Sequence, residues 1–116
     1  MPLRPRALGF RVVRLGPGRL YLDEIDEMVA SLRSLPGLEQ IQVFSGDFEV
    51  DTLEELRERG KRRLRDVSLV ATTGPYFRSM RVSLEGSNHR VTYDDKGEDE
   101  MRAVAARLVE ISRRHR

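Results

Sequence analysis

A chain of 116 residues with no cysteine and a net charge of +2 is the size of one domain, large enough to bury a core without disulfides or structural metal. It excludes thiolate metal sites and thiol nucleophiles, and the near balance of 21 basic against 19 acidic residues gives no overall pull toward a polyanion. Charged residues make up 34% and hydrophobic ones 39%, and the apolar positions recur with clear periods, so the expectation is one folded α+β domain over residues 1–116, with 1–8 as a flexible N-terminal arm.

No window reaches the ~18 apolar residues of a membrane span, and the N-terminus lacks the continuous apolar core of a secretory signal. Arg4, Arg6, Arg11, Arg14 and Arg19 precede any acid, as in organellar targeting peptides, but Pro2, Pro5 and Gly9 interrupt a helix there. A cytoplasmic protein with no membrane partner is the expectation.

Phe10 to Leu15 is a β-favouring run closed by the turn signal Gly16-Pro17-Gly18, with Leu20-Tyr21-Leu22 as a second short extended piece. From Asp23 to Leu35, the residues Ile25, Met28, Val29, Leu32 and Leu35 mark the single apolar stripe of a helix. Asp23 stands at its N-cap and Pro36-Gly37 stops it. Gln40 to Val50 reads as one strand whose apolar positions change parity between Ile41, Val43 and Phe44, Phe48, which implies two partly covered faces or a bulge at Gly46. Thr52 and Glu55 have capping-box spacing and predict a short helix ending near Gly60.

A meander follows. Val67, Leu69 and Ala71 alternate on one strand, Tyr76, Met80, Val82 and Leu84 on the next, and His89, Val91 and Tyr93 on a third. Gly74-Pro75 and Glu85 to Asn88 supply the turns. Glu98 to about Arg113 closes the chain as a helix with Met101, Val104, Ala105, Leu108 and Ile111 along one side. The expected fold is an antiparallel-rich sheet of about five strands with two long amphipathic helices on one face, in the order β-α-β-short α-β-β-β-α. Small bacterial α+β interaction domains share this order, an analogy of architecture that carries no function.

Few residues carry chemistry. His89 and His115 are the imidazoles; His115 lies in the terminal residues, and His89 is in phase with the core positions of its strand, so neither is expected to act as a catalytic base. Gly16-Pro17-Gly18 lacks the third glycine of a dinucleotide loop, and Gly60-Lys61 is followed by Arg62 where a phosphate loop needs Ser or Thr. Asp47, Glu49 and Asp51 could stand on one side of a strand, but carboxylates ~7 Å apart along it do not converge on an ion without a bend. No catalytic residue, cofactor or metal is therefore expected.

Two surfaces remain. If Tyr76 to Leu84 turn alternate residues to the core, Phe77, Ser79, Arg81 and Ser83 face outward, joined by Arg90 and Thr92 of the next strand. The run Arg57 to Arg65 concentrates basic residues, among them Arg62, Arg63 and Arg65, in a form that can neutralise phosphates. The leading expectation is a non-catalytic protein-interaction or regulatory module acting through an exposed sheet face or edge. It would meet a protein partner or a second copy of itself through Phe77, Arg81 and Arg90. The alternative is nucleic-acid binding through the Arg57 to Arg65 run. One outward aromatic is fewer than a base-stacking sheet presents, which ranks the alternative second.

Overall fold

The computed structural model describes residues 10–16, 22–46, 48–50, 54–55, 58, 66–74, 78–86, 88–94 and 98–114. They build one antiparallel sheet with two helices. The strands are β1 (Phe10–Arg14), β2 (Leu38–Ser45), β3 (Phe48–Val50), β4 (Val67–Thr73), β5 (Arg78–Glu85) and β6 (Asn88–Asp94). The helices are α1 (Leu22–Arg33) and α2 (Glu98–Arg114).

The sheet order is β1-β6-β5-β4-β2-β3. Four antiparallel pairings separate β1 from β2, so the two run in the same direction. A hairpin cannot join strands in that relation; a helical crossover, α1, does. The meander β4-β5-β6 occupies the middle in unbroken register, from Val67↔Leu84 and Leu69↔Val82 to Val82↔Val91.

Three expectations are corrected. The single strand over Gln40 to Val50 is a hairpin, β2 and β3, with Ser45 opposite Phe48, so the sheet has six strands and the order gains a β-β step. Gly46 is the pivot rather than a bulge: its φ of +60° is the conformation a two-residue hairpin loop demands at its first position. The bulge lies earlier, where the β2–β4 register shifts between Leu38 and Gln40. Leu22 is not extended but opens α1, half-buried against the core, which moves Asp23 from the cap into the first turn, where its charge still opposes the positive helix end. The short helix over 52–60 lies outside the described residues apart from Glu54, Glu55 and Glu58, as does the N-terminal arm.

The core sits on one side of the sheet. Val67, Leu69 and Ala71 of β4, Met80, Val82 and Leu84 of β5, and Val91 and Tyr93 of β6 are buried together with both helical stripes in one cluster. Ile25, Met28 and Leu32 of α1 and Leu108 of α2 are wholly excluded from solvent; burying side chains of this size stabilises by ~1.5–3 kcal/mol each. No helix among the described residues is long and apolar enough to cross a membrane.

Two closures hold this frame. After α1 the chain turns through Gly37, whose φ is +71°; its carbonyl accepts the Gly74 N–H at 2.9 Å. That contact pins the start of β2 to the end of β4. At the other side, the Leu15 N–H donates to the His89 carbonyl at 2.8 Å, extending the β1–β6 ladder beyond Arg14.

Candidate functional site

Alternation of side chains across a strand sends every second residue away from the helices. On β5 these are Ser79, Arg81, Ser83 and Glu85; on β6 Asn88, Arg90, Thr92 and Asp94; on β4 Ser68, Val70 and Thr72. The cross-strand register extends the same face to Phe10, Val12 and Arg14 of β1 through Asp94, Thr92 and Arg90. At the opposite side it reaches Gln40, Gln42 and Phe44 of β2 through Thr72, Val70 and Ser68. None of these residues belongs to the core cluster, and no element described lies over them.

Two hollows cross this open face. One, of about 400 Å³, has Phe10 and Val70 as its apolar walls, Ser79, Ser83 and Thr92 as hydroxyl donors and acceptors, and the guanidinium groups of Arg81 and Arg90. The second, of about 270 Å³, runs toward Phe44 and Ser68, with Glu85 on its rim. They meet at Arg81, Ser83 and Arg90, which line both, so the face carries one trough with an aromatic ring at each end and two arginines at the join. Ser83 is its floor: although it points away from the core, it is only 7% exposed.

The electrostatics are uneven. Arg14 and Arg90 stand directly opposite each other, and Arg81 lies one residue pair away on the neighbouring strand, opposite Thr92. Among the described residues none of the three takes part in an ion pair. Like charges opposed across a ladder cost stability, and among the described residues no ion pair offsets this cost at Arg14, Arg81 and Arg90. No acid lines the larger hollow. Two carboxylates of the face stand toward the Phe44 end, where Glu49 accepts from the Gln42 amide at 3.3 Å and Glu85 borders the smaller hollow; a third, Asp94, stands opposite Phe10 at the other end.

Of the residues singled out in the sequence, Arg81 and Arg90 therefore come together, in company with Ser79, Ser83 and Thr92. Phe77, Arg62, Arg63 and Arg65 lie outside the described residues, as does most of the run from Arg57 to Arg65. Two residues the sequence reading did not place here are Phe10 and Phe44. Phe10 is 57% exposed and its neighbour on the same face, Val12, 60%, an unusual exposure for residues of this size. The parity of β1 was open from sequence, because Phe10 and Val12 compete with Val13 and Leu15 for the core; the burial of Leu15 would have resolved it. Phe44 was assigned to a long strand of uncertain face, and the turn signal Gly46-Asp47 would have resolved that.

His89 lies on the other side of the sheet. It is buried, and its Nε2 is 3.0 Å from the Gly86 carbonyl oxygen, a bond that closes the β5–β6 turn from the core face. Asp47 and Asp51 lie outside the described residues, while Glu49 is exposed on β3. Among the described residues no three His, Asp or Glu side chains converge as metal ligands would.

In comparisons with known proteins, no family model, no curated protein and no solved structure matches this chain.

Proposed function

We propose, from geometry alone, that this chain is a non-catalytic binding module whose working surface is the open face of its sheet, and that the partner is negatively charged where it touches that face. The observation that carries the reading is the junction of the two hollows. Two guanidinium groups that form no ion pair among the described residues flank a recessed serine. Arginine left unpaired beside hydroxyl groups is arranged to take oxyanions, which its planar fork grips with two parallel hydrogen bonds.

The same surroundings support the non-catalytic part. In the larger hollow the hydroxyls of Ser79, Ser83 and Thr92 have no carboxylate or imidazole beside them among the described residues: arginine stays protonated, His89 faces the core, and Glu85 borders only the smaller hollow. A hydroxyl without a base is a weak nucleophile. What this face offers is recognition.

The test is retention on an immobilised sulfated polyanion over a salt gradient. Arg81→Glu/Arg90→Glu should elute at clearly lower salt than wild type while melting within a few degrees of it, because both side chains are exposed and exposed substitutions change stability by about 0.5 kcal/mol or less. Arg62→Glu/Arg63→Glu is the comparator. If it lowers retention and the Arg81/Arg90 pair does not, the binding surface is the Arg57 to Arg65 run and this assignment fails.

A further inference from the structure

The geometry points to a single-stranded nucleic acid as the partner of the open face, with bases stacked on Phe10 and Phe44 and the phosphodiester chain crossing Arg81 and Arg90 between them. This rests on the reading of that face as an anion-binding surface and goes beyond it by naming the ligand.

The register supplies the argument. Phe10 and Phe44 belong to strands four places apart in the sheet, a lateral separation of ~19 Å, and their register positions differ by four residues along the strands, a further ~13 Å. The two rings thus sit at the ends of a diagonal of ~23 Å. Arg81 is two strands from each and two residues along from each, which places it at the midpoint. An unstacked single strand advances roughly twice the ~3.4 Å of a stacked one, so the diagonal accommodates about four nucleotides.

A ligand that satisfies this face must present flat apolar surfaces at its ends and negative charge in the middle. A single strand does so at every step, since each base has a π face and each linkage a phosphate. Duplex does not, because its bases are stacked on one another and cannot reach Phe10 or Phe44. A purely acidic peptide would satisfy Arg81 and Arg90 but would leave the two rings without a matching group. The acids reinforce the path. Glu85 and Glu49 lie toward the Phe44 end and Asp94 stands opposite Phe10, whereas Arg14 stands beside Arg90 and no acid lines the larger hollow among the described residues, so the phosphates cross the middle of the trough. Recognition by stacking is indifferent to base identity, and two phosphate contacts give a logarithmic salt slope of about −1.4.

The experiment measures fluorescence anisotropy of a labelled oligothymidylate of about twelve nucleotides, in the site-size range of other single-strand binders. A duplex of the same length and a polyglutamate peptide serve as competitors. Wild type should prefer the single strand, and its affinity should fall about sevenfold between 50 and 200 mM salt. Phe10→Ala and Phe44→Ala should each weaken binding about tenfold, Phe10→Tyr should retain it, and Arg81→Glu/Arg90→Glu should remove it. Phe10 is the safer probe, since it is more than half exposed and substitutions at exposed positions change stability little. No single-strand binding at low salt, or equal binding of duplex, overturns the proposal. Equal competition by polyglutamate with no effect of Phe10→Ala also overturns it, yet leaves the anion-binding face intact and makes the partner an acidic protein. Binding unchanged by Arg81→Glu/Arg90→Glu removes both.

Discussion

The two faces of this sheet are made by the same strands and obey opposite rules. On β5, Met80, Val82 and Leu84 are wholly buried, while the residues between them include an exposed arginine and a recessed serine. The core face is apolar and closed by two helices. The open face collects hydroxyls, guanidinium groups and two phenylalanines, and opposes Arg14 to Arg90 with no acid between them. One face therefore carries the stability of the domain, and the other keeps charges together that stability alone would separate. Such local conflicts are expected where a surface is shaped for binding.

Charge placed on the buried face has the largest expected effect. Leu32→Asp or Leu108→Asp buries a carboxylate at a position with no solvent access and should cost ~4 kcal/mol or more, a large part of the ~5–15 kcal/mol of a typical domain. Thermal or denaturant unfolding reads this directly. A variant of either kind that melts like wild type would show that the helix does not cover the sheet as described.

A smaller effect separates backbone strain from packing. A Cβ at Gly37 would lie 2.7 Å from the Gly74 carbonyl oxygen in addition to the cost of its positive φ, whereas one at Gly46 would meet nothing within 4 Å. Gly46→Ala should lose ~1 kcal/mol from φ alone, and Gly37→Ala up to ~3 kcal/mol because the β2–β4 closure must also give way. Equal losses would mean that the Gly37–Gly74 contact yields freely.

The smallest effect has the opposite sign. Arg14→Glu replaces a like-charge pair across β1 and β6 with an opposite one and should stabilise the chain by ~0.2–1 kcal/mol, while weakening its hold on a polyanion. A variant that gains melting temperature and loses retention on the sulfated matrix is the expected result. Loss of stability would show that the Arg14–Arg90 opposition is relieved in some other way.

These contrasts also show where the sequence was legible. The meander and both long helices could be read because each has one dominant period, as in Val67-Leu69-Ala71 and Met101-Val104-Ala105-Leu108, and only one face of each element could face a core. The β2–β3 hairpin was missed because Gly46 supports both a bulge and a turn, and the parity change between Val43 and Phe44 fits either. Arg81 and Arg90 were placed on the open face by alternation. Their meeting with Phe10 and Phe44 depends on a strand order that pairs the first strand with the last, and no local pattern encodes that order.

That pairing has a consequence for how the molecule assembles. β4, β5 and β6 follow one another at short sequence separation, but β1 finds its ladder partner only across about 80 residues of chain. Closing so long a loop is entropically costly and slows the step that depends on it. β1 is therefore expected to dock late, after the meander has formed, and Val13→Ala should speed unfolding while leaving the refolding rate near that of wild type in stopped-flow kinetics. On that order the ring of Phe10, made before the rest of the trough, should join it after the other strands have formed.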